Sequence, residues 1–217
     1  MDGTVTTAII LIFVFSILGG VTGKHEKVSR PSTPNYVAPT PAYPTGTLHN
    51  EVTAGEVPSP TFTAGYTEGV VNTITAFINN YAKKVDNWEA QSISQNLVKY
   101  CQMYDVNPKL MTALIARESR FNRFAISSSG AQGLGQLLPS TASGLGISDP
   151  FDIEQNVMGT TRYMRSLLDR FKDKPDKQVI FAIGGYLEGP NALKRNGGFT
   201  SATRGYIEDI LKIYYKI

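Results

Sequence analysis

Few of the 217 residues can cross-link the chain or bind a transition metal. The single cysteine, Cys101, excludes an intramolecular disulfide; it falls at helical spacing with Leu97 and Tyr104 and reads as a buried structural thiol. The two histidines, His25 and His49, both lie in the polar N-terminal region, so the remainder lacks the imidazoles of a zinc site or a histidine-dependent triad. No dense Lys/Arg cluster interleaved with aromatics occurs, which argues against a nucleic-acid partner. No alternating apolar–polar run of strand length appears either. The fold class expected is therefore mainly α, with at most a small hairpin near Ser127 to Gln136.

What is present divides the chain in three. Residues 1–23 carry an uncharged stretch around the run IILIFVFSIL, about long enough to cross a bilayer as a helix. A transmembrane anchor fits its length better than a cleaved signal segment, because only Asp2 precedes it where a basic start is needed. Lys24, Lys27 and Arg30 follow it, and the positive-inside rule then leaves the rest of the chain on the cytoplasmic side. Residues 24–66 hold seven prolines (Pro31, Pro34, Pro39, Pro41, Pro44, Pro58 and Pro60) with many Ser and Thr, the composition of an extended disordered linker. Residues 67–217 form the folded domain. Hydrophobic residues make up 41% of the chain, enough for a core, and the formal charge is +3. From Thr67 onward 18 Lys+Arg oppose 14 Asp+Glu, a mild basic excess suited to a polyanionic surface.

Within the domain the apolar spacing is helical. Ile74, Phe77, Ile78 and Tyr81 define one helix; Asp86 and Glu89 form a capping box that opens a second, with Ile93, Leu97, Tyr100, Cys101 and Tyr104 inward. Val157, Thr161, Met164, Leu168 and Phe171 mark a long helix whose opposite face, Arg162, Arg165, Asp169 and Arg170, reads as solvated. Val179 to Tyr186 is a further apolar helix, and its Gly184-Gly185 pair requires a closely packed neighbour. Ile207, Ile210, Leu211 and Tyr214 give a last one.

The chemistry concentrates in Met111 to Pro139. Asn107 is a good N-cap and Pro108 suits the first helical position. Glu118 then continues the stripe of Met111 and Ile115 about one turn on, where a carboxylate is poorly solvated and holds its proton to higher pH. That is the requirement for a general acid. Ser127 to Gly130, Gly133 and Gly135 form a turn whose glycines let backbone approach a ligand, with Gln136 offering an amide donor and acceptor. An acid at a helix end before a small polar loop describes one wall of a sugar-binding cleft.

The ordered set Glu118-Ser119-x-Phe121-Asn122, Ala125-x-Ser127-x-x-Gly130-Ala131-x-Gly133-Leu134-x-Gln136 and Pro139-x-Thr141-Ala142 resembles the lytic transglycosylases of bacterial cell-wall metabolism, relatives of goose-type lysozyme with a lysozyme-like fold. The resemblance extends over roughly Asp86 to Tyr215. Asn156, Gly159 and Tyr163 follow a second signature; Gly185-Tyr186-Leu187-Glu188-Gly189-Pro190 matches an Ala-Tyr-Asn-Ala-Gly-Pro turn, with Leu187 and Glu188 as departures. Thr203-Arg204-Gly205-Tyr206-Ile207 matches a closing Glu-Thr-x-x-Tyr-Val element, with Ala202 in place of the Glu.

The resemblance implies a peptidoglycan-cleaving enzyme that needs no cofactor or metal and leaves 1,6-anhydro ends on N-acetylmuramic acid. It makes Glu118 the catalytic acid and Ser119, Ser127, Gly133, Gln136, Tyr186, Glu188 and Tyr206 the candidate substrate-side residues, with Tyr206 hydrogen-bonded to the acid. Within the same fold, a goose-lysozyme-type hydrolase would need a second carboxylate, for which Glu188, Asp149 and Asp152 are candidates; an inactive wall-binding module is the alternative from another class. The partners implied are glycan strands and, through the N-terminal segment, a membrane. The location implied is a membrane facing the wall, or, given the reversed flanking charges, the internal membrane of a bacteriophage virion.

Overall fold

The computed structural model describes residues 64–191 and 198–217. The apolar run at 1–23 and nearly all of the linker at 24–66 lie outside them. Seven α-helices and one short 3-10 turn make up the regular structure of the described residues: α1 Ala64–Tyr81, α2 Asn87–Tyr104, α3 Pro108–Ser119, α4 Pro139–Gly144, α5 Ile153–Arg170, the 3-10 turn Pro175–Lys177, α6 Gln178–Glu188 and α7 Ser201–Tyr214. Helix α1 starts at Ala64, slightly before the boundary expected at Thr67.

Helix starts follow local chemistry. Asp86 caps α2 by accepting from the Glu89 amide at 2.8 Å, the first half of the expected capping box. The second half is absent as an ion pair replaces it: Glu89 faces Arg123 at 3.5 Å. Asn107 caps α3 by accepting from the Lys109 and Leu110 amides, with Pro108 at the first helical position. Asp152 caps α5 and Thr200 caps α7 in the same manner.

The central core joins α1, α2, α3, α5, α6 and α7 through Ile74, Ile78, Leu97, Met111, Leu114, Ile115, Met164, Ile183 and Ile210, all buried. Cys101 lies within it, and burial pushes its thiol pKa well up, consistent with an inert structural role. Gly184 and Gly185 permit the close packing their sequence required: a Cβ at Gly184 would stand 2.5 Å from the Phe199 ring, and one at Gly185 3.2 Å from Leu167. On the charged face of α5, Asp169 and Arg170 are exposed as expected, whereas Arg162 and Arg165 are half-buried. Arg165 donates to the Asp105 carbonyl at 2.9 Å and Arg162 to the Leu145 carbonyl, so these two cations tie α5 to neighbouring loops, while Arg165 also pairs with Asp169 of its own helix at 2.8 Å.

The Ser127–Gln136 segment contains no strand. Two isolated antiparallel bridges, Ile126 with Gln132 and Gln132 with Leu137, fold it into a double turn between α3 and α4. Among the described residues, no helix is long and apolar enough to cross a membrane.

Candidate active site

Helix α3 delivers Glu118 in its last turn, one residue before the helix ends. The end is abrupt because Arg120 and Phe121 both take left-handed backbone, φ 52° and 61°. Such a conformation is unfavourable for a bulky residue and needs tertiary support. Phe121 has it: its fully buried ring packs edge-on against Phe77 and Tyr81 of α1, with centroids 6.3 and 6.1 Å apart. The chain therefore turns away directly after the acid and leaves Glu118 at the rim of the core.

Burial raises the Glu118 pKa from 4.5 to about 7, against the opposing pull of the Tyr206 hydrogen bond and the Arg117 charge. The Tyr206 hydroxyl, from α7, donates to Glu118 Oε1. The Arg117 guanidinium stands 5.4 Å above the Tyr206 ring and is itself paired with Asp209 at 3.2 Å. Burial also drives the phenol pKa values of Tyr206 and Tyr186 well up, with the Glu118 charge adding to both, so both remain hydroxyl donors near neutral pH. Tyr186, from α6, donates to the Gly135 carbonyl at 2.6 Å and packs on Tyr163 with centroids 5.3 Å apart. Helices α6 and α7 thus bring the phenols of Tyr186 and Tyr206 towards the Glu118 carboxyl at the end of α3, and the double turn is bonded to Tyr186.

The other expected site residues on α3 and the double turn make hydrogen bonds within the protein. The Ser119 hydroxyl donates to the Ile115 carbonyl of its own helix. Ser127 closes the first turn, its hydroxyl accepting from the Ala131 amide at 3.0 Å. Both hydrogens of the Gln136 amide are engaged by the loop itself, donating to the Ala125 carbonyl at 3.0 Å and the Gly133 carbonyl at 2.9 Å. Gly133 (φ +76°) allows close backbone approach to α5: an added Cβ would meet the Pro150 carbonyl oxygen at 2.1 Å and Asn156 Nδ2 at 2.2 Å. Gly135 meets Thr160 in the same way.

Asn156 is the residue that organises this loop, and its part there was not foreseen. Fully buried on α5, it accepts from the Gly135 amide at 2.8 Å and donates to the Pro150 carbonyl at 2.7 Å. A polar residue on the buried face of an amphipathic helix, one turn past its cap, was the available signal.

Of the alternative carboxylates, Asp152 caps α5 and Asp149 accepts from the Phe151 amide at 2.9 Å. Glu188, at the end of α6, accepts through Oε1 from the hydroxyls of Thr200 and Thr203 at the start of α7. Among the described residues no group of His, Cys, Asp and Glu is arranged to hold a metal ion.

A helical domain with a carboxyl of raised pKa at a helix end, bonded to a phenol, has the makings of a general-acid site for glycosidic bonds. Residues 95–207, over half the chain, match the transglycosylase SLT domain, and the chain belongs to that family. It is 39% identical over 109 residues to the transglycosylase of Enterobacteria phage PRD1, covering 50% of this chain and 38% of that one. It is 39% identical over 80 residues to membrane-bound lytic murein transglycosylase F of Desulfosudis oleivorans, covering 36% of this chain and 18% of that protein. The matched part therefore spans well under half the length of these relatives. The 70 kDa soluble lytic transglycosylase SLT70 of Escherichia coli superposes with a TM-score of 0.51 at 21% identity, over 69% of this chain and 29% of that one, which establishes the lysozyme-like fold.

Proposed function

We propose that the chain is a peptidoglycan lytic transglycosylase in which Glu118 acts first as acid and then as base. The observation that carries this reading is the Glu118 carboxyl itself, raised to about 7 by burial and met by the Tyr206 hydroxyl. A group with that affinity can both give and take a proton near neutral pH. Glu118 protonates the oxygen that links N-acetylmuramic acid C1 to the next N-acetylglucosamine, and the C1–O bond breaks. The substrate's 2-acetamido group stabilises the cation that develops at C1. The C6 hydroxyl oxygen of the same sugar then bonds to C1, and its proton returns to Glu118. The product is a 1,6-anhydro ring; water is neither consumed nor released.

Most glycosidases pair two carboxyl groups, one acting on water or as nucleophile. Here the other acids of the described loops serve helix starts and turns, which favours attack by the substrate's own hydroxyl. The relatives named as murein transglycosylases support the same substrate. The domain begins near residue 64, and the apolar run at 1–23 tethers it to a membrane, with the Pro-rich segment supplying reach to the wall.

Mass spectrometry of muropeptides released from purified peptidoglycan tests the assignment. The expected products carry 1,6-anhydro ends and are one water lighter than hydrolysis products. Reducing ends would make the protein a lysozyme-type hydrolase, and no release would leave it a binding module.

A further inference from the structure

The carboxylate of Glu188 lies outside the chemistry above, at the junction of α6 and α7. Its Oε1 accepts two hydroxyl hydrogens, from Thr200 at 2.9 Å and from the fully buried Thr203. Thr200 is the N-cap of α7, accepting from the Thr203 amide at 3.2 Å. A carboxylate at this end of a helix is favoured by the partial positive charge of the free amides. Glu188 and Gly184 are four residues apart on α6 and share a face. At Gly184 the two helices nearly touch: an added Cβ would stand 2.5 Å from the Phe199 ring and 3.3 Å from Thr203 Cγ2. Three residues after Thr203, on the same side of α7, comes Tyr206, the phenol that donates to Glu118.

We propose that Glu188 is a positioning residue for the acid: it clamps the first turn of α7 through Thr200 and Thr203 and thereby holds the Tyr206 hydroxyl on Glu118. The proposal rests on the reading of Glu118 as the acid. It assigns Glu188 a part distinct from that of a second catalytic carboxylate. A clamp needs an acceptor oxygen at Oε1, whereas a base or nucleophile needs the negative charge. The two are separable by substitution.

The charged and titratable groups around Glu118 are Arg117 on its own helix, Tyr206 and Asp209 on α7, and Tyr186 on α6. Of these contacts, the Tyr206 hydrogen bond favours the carboxylate form, so its loss moves Glu118 titration upward.

The test uses the full-length chain labelled with 13C at the glutamate carboxyls, the Glu118 signal being assigned by its loss in Glu118→Gln. Glu188→Ala is expected to move Glu118 titration up by about one pH unit and to lower kcat on soluble glycan fragments roughly ten- to a hundredfold with little change in KM. Tyr206→Phe should give the same shift, and the double variant Glu188→Ala/Tyr206→Phe no more than either alone, since both act through one contact. Glu188→Gln keeps an acceptor oxygen and should restore most of the loss. Thr203→Val, close in shape to threonine, repeats the Glu188→Ala result by a second route should that variant fold poorly. Glu118 titration unchanged in both Glu188→Ala and Thr203→Val would overturn the clamp. So would additive shifts in the double variant, or loss of cleavage in Glu188→Gln as complete as in Glu118→Gln. The carboxyl titration is read without turnover, so it judges the clamp even if the wild type proves to cleave no peptidoglycan.

Discussion

Replacing Glu118 with Gln should remove activity and, at alkaline pH, make the protein more stable. The folded-state pKa of Glu118 lies near 7, against 4.5 for an ordinary glutamate. Because the folded value is the higher one, the neutral acid favours the fold fully below pH 4.5, and that contribution is lost as pH rises through about 7. Each unit is worth about 1.4 kcal/mol, which sets a ceiling of about 3.5 kcal/mol on the destabilisation at pH 8.5. Water that reaches the partly open carboxyl reduces the figure to about 1–2 kcal/mol. Gln keeps the shape and the acceptor for Tyr206 but never charges, so its variant lacks this loss. Urea unfolding at pH 5 and pH 8.5 reads the effect as a shift in midpoint at constant slope. No histidine occurs after His49, so no imidazole of the folded domain titrates in that window. The variant should lie within about 0.5 kcal/mol of wild type at pH 5, exceed it by about 1–2 kcal/mol at pH 8.5, and release no muropeptides. Equal stability at both pH values would refute the buried-acid argument, and retained cleavage would remove Glu118 from the mechanism.

Two further outcomes follow from the scaffold. Gly133→Ala should destabilise the domain by about 3 kcal/mol or more, since the methyl meets the Pro150 carbonyl and the Asn156 amide and the backbone there is left-handed; thermal unfolding followed by circular dichroism measures it. Removing residues 1–63 should leave a soluble domain that unfolds in one transition and retains cleavage, because α1 starts at Ala64 and closes the core with Ile74 and Ile78; failure to fold would place core residues in the removed segment.

Local periodicity and cap chemistry made much of this protein legible from its residues alone. The starts of α2 and α3 are written in Asp86, Asn107 and Pro108, because a cap bonds amides only two or three residues away. The raised pKa of Glu118 followed from its place on the stripe of Met111 and Ile115, a relation one turn long. The pairings that turn this carboxyl into a site span far more chain. Tyr206 reaches Glu118 across 88 residues, and Tyr186 reaches Gly135 across 51. Without the resemblance to a family, no spacing rule selects those two among the 11 tyrosines. The polar loop after the acid shows the reverse. Gly133 and Gln136 look from the sequence like ligand-facing groups, since residues that suit a sugar also suit a tight turn. Only the tertiary structure shows the approach of α5, with Asn156 bonded to both Gly135 and Pro150, and the hydrogen bonds that Gln136 makes within the loop. Glu188 is the sharpest case. Its charge suggested a second catalytic acid, and its assignment to Thr200 and Thr203 depends on α6 and α7 packing across Gly184. Hydrogen-bond partners that lie on different helices are set by packing, and packing is a property of the whole chain.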